Sequence, residues 1–233
     1  MRIAICGSAN QGKSTFISDF LETWPMYKKS AGNYRNLVKE KNLSINKTGN
    51  KASQEIILNS LIDEAMEYKK TDNVIHDRCC LDNLCYTLWL AAHDLGEVDE
   101  AFVQKSILLT RQALHFYDII MYLPKLEKYK IQSEDREQRE TDEQYNTEID
   151  NFFRAIQDTY LKNQDTIFEF SSPDGAPALI EIYGNREERL QLVKMYIDTD
   201  GGPFGRKSSD SLITLPSIEE QAMIDRIIEQ NKK

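Results

Sequence analysis

The chain has 233 residues, of which 40% are hydrophobic and 29% charged, with a net charge of −9 at pH 7. That length suits one α/β domain with appended segments, and the apolar share excludes wholesale disorder. The acidic balance excludes a protein that coats nucleic acid by bulk charge, while leaving room for a local basic groove.

In chain order, Arg2 to Cys6 reads as a short apolar strand. A Gly-bounded loop follows, then a helix from about Lys13 to Glu22, which Trp24-Pro25 ends because a residue before proline leaves the helical region. Residues 26–50 are polar, with a short strand expected near Tyr27. Helical spacing returns from Ala52 to Lys70: Ile56, Ile57, Ser60, Leu61, Glu64 and Ala65 form one face, and Ser53 is the expected N-cap. Asn73 to His76 reads as a buried strand, Leu81 to His93 and Glu100 to Phe116 as helices, and Asp118 to Leu123 as a strand stopped by Pro124. Residues 125–142 are intensely charged and lack an apolar face. An amphipathic helix from Glu143 to Leu161, a core strand from Leu179 to Tyr183 and a core helix from Arg186 to Ile197 complete the pattern. Strands alternating with helices predict an α/β fold, three layers deep (α/β/α), around a central parallel sheet of about five strands. Residues 198–233 carry Gly201-Gly202-Pro203, a Ser-rich stretch and a short helix expected from Ser217 to Gln230, and read as a C-terminal extension of a core spanning 1–197.

No secretory signal fits ahead of the first strand and no apolar run reaches membrane-spanning length, so a soluble cytoplasmic protein is expected. Cys6, Cys79, Cys80 and Cys85 follow no secreted disulfide spacing. Together with His76 they also lack the paired Cys-x-x-Cys of structural zinc sites, and they read as small packing thiols.

The sharpest motif is Gly7-Ser8-Ala9-Asn10-Gln11-Gly12-Lys13-Ser14-Thr15, a Gly-x-x-x-x-Gly-Lys-Ser pattern between an apolar strand and an amphipathic helix. Glycines allow backbone angles that turn successive N–H groups toward phosphate oxygens. Lys13 is placed to reach the β- and γ-phosphates of ATP, Ser14 or Thr15 to ligate Mg²⁺, and the helix dipole adds to the attraction. The second motif, Val74-Ile75-His76-Asp77-Arg78, puts a carboxylate at the end of a buried strand beside that loop. Asp77 can hold Mg²⁺ through water or accept a proton from an attacking hydroxyl, and Arg78 can bridge donor and acceptor phosphates. The charged stretch of 125–142 reads as a lid, with Arg136 and Arg139 as its phosphate-facing cations. Tyr34, Arg35, Asn46, Thr48 and Gln54 fall on the acceptor side: Gln54 has the two hydrogen-bonding groups a base edge needs, and Tyr34 can stack on a ring. Trp24 and Tyr27 suit either an aromatic wall of that site or the core.

These residues together resemble the thymidylate-kinase and deoxynucleoside-kinase group of P-loop kinases, and the nicotinamide-riboside-kinase type. The resemblance covers about residues 1–197 and rests on Gly7–Thr15, on Asp77-Arg78 with Tyr86, on Asp135-Arg136 with Arg139 and Ile149-Asp150, and on Tyr183-Gly184 with Arg189. It implies a P-loop fold, an acid and an arginine at the reaction centre, an Arg-bearing lid, and a last strand bordering the adenine. Cysteines stand where the group often has Ser or Tyr after the arginine, and no separate catalytic base is evident. Some virus-encoded members phosphorylate the 5-hydroxymethyl group of modified uracil within DNA, in the host cytoplasm. Lys28, Lys29, Arg35, Lys39, Lys41, Lys47 and Lys51 form a locally basic stretch that would suit a DNA backbone.

The expectation is therefore a Mg²⁺-dependent kinase moving the γ-phosphoryl of ATP to a nucleoside or nucleotide, with Lys13, Asp77, Arg78, Arg136 and Arg139 as its reacting groups. The same chemistry on a hydroxymethylated base in DNA is the alternative, and an NTP-binding switch with slow hydrolysis is a further one. A homodimer is compatible with all three.

Overall fold

The computed structural model describes residues 1–32, 34–126, 128, 142–162, 167–168 and 176–204. β1 (Arg2–Cys6) is buried along its whole length, yet its side chains part between two cores at the two-residue period of a strand. Ile3 and Ile5 join Phe16, Ile17 and Phe20 of α1 (Lys13–Thr23) and Leu192 and Val193 of α7 (Arg186–Val193). Ala4 and Cys6 face the opposite core, built on α3 (Lys51–Met66), α4 (Cys80–Ala92), α5 (Glu100–Ala113) and α6 (Glu143–Lys162). β4 (Ile119–Tyr122) repeats the division, with Ile119 and Met121 on the first side and Ile120 and Tyr122 on the second. A strand buried on both faces is apolar nearly throughout, here at every position but Arg2, which is paired with Asp118, and so shows no alternating pattern in its sequence.

β2 (Lys28–Lys29), β3 (Val74–Asp77) and β5 (Ala178–Glu181) complete a five-stranded sheet of order β2-β3-β1-β4-β5, parallel throughout. This is the expected three-layer α/β/α fold. β1 lies at its centre, so the loop leaving Cys6 emerges between β3 and β4 at their carboxyl ends, where open parallel sheets bind ligands.

Several local expectations change. Asn50, not Ser53, caps α3: the Asn50 side chain accepts a hydrogen bond from the Ser53 amide at 2.9 Å. Both residue types suit the cap, and the chain turns helical after the first of them in extended conformation. β3 ends on Asp77, one residue later than its apolar run. The polar segment before α3 forms α2 (Tyr34–Glu40), with Val38 buried, and a single 3₁₀ turn at Asn46–Thr48. α7 stops at Val193 and turns lead on to Ile197. Trp24 and Tyr27 belong to the core, 1% and 5% exposed, packed on Phe20. Their polar ends reach the segment after Ile197: Trp24 Nε1 donates to the Asp198 carbonyl at 2.8 Å, and Tyr27 Oη to that of Gly201 at 2.7 Å.

Candidate active site

The loop between β1 and α1 is shaped by backbone alone. Gly7 has φ 138°, and a Cβ there would lie 2.5 Å from the Leu123 carbonyl oxygen. Asn10 and Gly12 also take positive φ, 62° and 72°. α1 then opens from Gly12 with no side-chain cap, so its first amides are presented to an anion. Lys13 lies buried and donates to the Gly7 and Ser8 carbonyls at 2.6 and 2.5 Å. Burial, then the charge of Arg78, pushes its ammonium down to about 8. Ser8 Oγ is buried with no hydrogen-bond partner among the described residues, while Ser14 and Thr15 are exposed at the start of α1. An uncapped helix start, a buried lysine and an unpaired buried hydroxyl fit a polyphosphate. Arg189 of α7 braces the loop, Nη1 donating to the Gln11 carbonyl at 2.8 Å and Nε to that of Gly184 at 2.9 Å. The segment expected to border an adenine is thus tied to the phosphate loop.

Across the strand ends, β3 delivers Asp77 and Arg78 side by side. Asp77 pairs in register with Ile5, and the Arg78 amide donates to the Ile5 carbonyl at 3.1 Å. Arg78 has φ 95°, a strained conformation for any residue that carries a Cβ and one that clusters at functional positions. The turn brings its guanidinium 4.9 Å from the Tyr34 ring centroid, with Nη1 donating to Asp82 Oδ1 at 3.2 Å. Burial works against the Arg78 charge, but Tyr86, Asp82, Tyr34 and Asp77 more than offset it. Burial likewise raises Asp82, to about 7. Asp77 Oδ2 accepts from Lys29 Nζ at 2.8 Å; burial opposes its ionisation, but Lys29, Arg78 and Lys13 together more than offset burial and hold the carboxyl below its ordinary range.

Beyond Arg78 opens a cleft lined by Tyr34, Asn46, Gln54, Asp82, Asn83 and Tyr86, with Ile57 and Leu61 as its apolar part. Asn83 Nδ2 donates to Gln54 Oε1 at 2.8 Å and to the Gln54 carbonyl at 3.1 Å, and Thr87 Oγ1 donates to the same Oε1 at 3.4 Å. Gln54 is therefore oriented with its acceptor engaged. Asn83 Oδ1 is buried with no partner among the described residues.

Of the residues singled out in the sequence, Lys13, Asp77 and Arg78 meet at the strand ends, and Tyr34, Asn46, Gln54 and Tyr86 line the adjoining cleft. Arg35 and Thr48 are exposed and stand outside the cleft lining. Arg136 and Arg139 lie outside the described residues. The flanks of their segment are fixed: Asp150 accepts from Tyr122 Oη at 2.8 Å, from the Lys125 amide at 2.9 Å and from Arg154 at 2.8 Å. The basic stretch is partly neutralised, Lys29 pairing with Asp77, Lys47 with Asp142 and Lys51 with Asp99. Sequence reasoning gave Asp82 no role of its own, missed Asn83, and counted Lys29 only within the basic stretch. The first two could have been found, because positions 82, 83 and 86 share one face of a helix that follows Arg78; Lys29 could not, because its place depends on the pairing of β2 with β3.

No family model matches the sequence, and no curated protein matches it. Solved structures do. A deoxyadenosine kinase from M. mycoides with dCMP and dCDP bound superposes with a TM-score of 0.58 at 16% identity, over 83% of this chain and 96% of that one. A thymidylate kinase from Candida albicans gives 0.52 at 15% identity, over 83% and 89%. The NadR protein in complex with NAD and AMP-PNP gives 0.53 at 15% identity over 89% of this chain, which spans about half of NadR's length (51%). The chain has the fold of P-loop nucleoside and nucleotide kinases.

Proposed function

We propose that the protein is an ATP-dependent kinase of nucleoside- or nucleotide-type acceptors. The observation that carries this is Arg78, held at φ 95° with its guanidinium against Tyr34 and Asp82 of the cleft and its charge felt by Lys13 of the phosphate loop. A cation shared between a polyphosphate cradle and an aromatic, amide-lined cleft suits phosphoryl transfer, where positioning and charge stabilisation do most of the work. An NTP switch has no use for that cleft. Gly7–Thr15 would bind the ATP phosphates, and Ser14 and Asp77 are the oxygen donors that would hold Mg²⁺, which supplies further neutralisation of phosphate charge. Tyr34, Gln54, Asn83 and Tyr86 would hold the acceptor's ring and sugar.

Incubation with γ-labelled ATP and a panel of acceptors tests this: label is expected on a nucleoside- or nucleotide-type compound. Asp77→Asn should bind ATP nearly as well but turn over on the order of 10²-fold more slowly. Tight ATP binding with no labelled acceptor would replace the kinase by a switch.

A further inference from the structure

Three cations act on Asp77. Lys29 Nζ sits 2.8 Å from Asp77 Oδ2, at the carboxyl end of the edge strand, and Arg78 and Lys13 both act on the same carboxylate. Asp82 is the one carboxylate among the described residues lining the cleft. It is occupied too, Oδ1 accepting from Arg78 at 3.2 Å and Oδ2 from the Cys79 amide at 3.1 Å. An acceptor hydroxyl needs a nearby base to take its proton, and both carboxylates here are already held by cations or amides. An acceptor phosphate makes the opposite demand: it brings negative charge and needs cations.

We propose that the acceptor carries its own phosphate, as a nucleoside monophosphate does, and that Lys29 binds that phosphate together with Arg78. The inference rests on the kinase reading above and narrows it. A phosphomonoester has its second pKa near 6, so its oxygens are ionised at neutral pH and no proton has to be removed from the nucleophile. One such oxygen forms a bond to the γ-phosphorus while the bond from that phosphorus to the β,γ-bridging oxygen breaks. The electron pair leaves on ADP, and the products are ADP and a diphosphate. Lys29 suits the task because its side chain is 43% exposed and anchored at one end of its reach by Asp77. Its neighbour Lys28 is engaged elsewhere, its ammonium 5.2 Å from the Tyr68 ring centroid.

The test compares nucleosides with their 5′-monophosphates, and with duplex DNA containing 5-hydroxymethyluracil, by ADP release and by chromatography of the labelled product. Diphosphate formation from a monophosphate, with no transfer to the matching nucleoside, is the expected result. Lys29→Ala should raise the KM for the monophosphate at least about tenfold, the loss expected of one charge-assisted hydrogen bond. Its kcat should stay within about threefold, and its affinity for a fluorescent ATP analogue should be unchanged. Lys29→Arg should restore most of the loss, and Lys28→Ala should leave KM unaltered. Transfer to nucleosides or to the DNA but not to monophosphates would overturn the proposal while leaving the kinase standing. An unaltered KM in Lys29→Ala would remove Lys29 from the site. ATP binding without transfer to any acceptor would overturn both this proposal and the kinase reading.

Discussion

Lys13 is buried against two carbonyl oxygens, with Arg78 as an electrostatic neighbour, and its ammonium titrates near 8 where a free lysine would hold its proton past 10. Two opposite pH dependences follow. Between about 8 and the ordinary lysine value the unfolded chain binds more protons than the folded one, so stability rises with pH across that window. Nucleotide affinity should fall across the same window, because the neutral amine no longer attracts phosphate. Thermal melting and ATP titration at a series of pH values check both signs. Lys13→Met, which keeps the length and removes the charge, should flatten the melting profile and abolish ATP binding. Arg78 behaves differently, since a guanidinium stays charged in any such range. Its strain is backbone strain, held by the amide bond to Ile5 and by Asp82.

At the scale of elements, the phosphate loop was legible in sequence because its spacing dictates its own backbone: strand, glycine, glycine-lysine, helix. The cleft beside Arg78 was only half legible. Tyr34 and Gln54 are recognisable by residue type, but α2, which carries Tyr34, is a seven-residue helix with Val38 as its buried position, too short to show a period. Lys29 reads as one lysine among many until β2 pairs with β3 and the Ser30 amide bonds to the Ile75 carbonyl. The start of α3 is set by a contact equally hidden: the Gly96 carbonyl, in the turn between α4 and α5, accepts from the Lys51 amide at 2.8 Å. Gly96 has φ 65°, and a Cβ there would lie 2.2 Å from the Gly49 carbonyl oxygen. Gly96→Ala should therefore cost more than about 1 kcal/mol in chemical denaturation, through strain and displacement of backbone together. Because Gln54 opens the same helix, acceptor KM should rise with it while ATP affinity holds.

For the whole molecule, the boundary expected at residue 197 falls inside a set of contacts. Trp24 and Tyr27 reach across to Asp198 and Gly201, Gly201 packs on Met26 and Tyr27, and the Phe204 amide bonds back to the Tyr196 carbonyl. A chain ending at Ile197 would leave an indole N–H and a phenol O–H at the core's edge without their acceptors, at about 1–3 kcal/mol each. Its melting temperature should lie measurably below that of a chain ending at Phe204, and calorimetry of the two would show it. The opposite side of the sheet ends in β2, two residues long, both lysine and both exposed. An open sheet edge invites another chain to add a strand, and a short, doubly charged edge refuses one. Lys28 and Lys29 thus also keep the fold from polymerising through its edge, so that neutralising both would be felt first as lost solubility in concentrated solution.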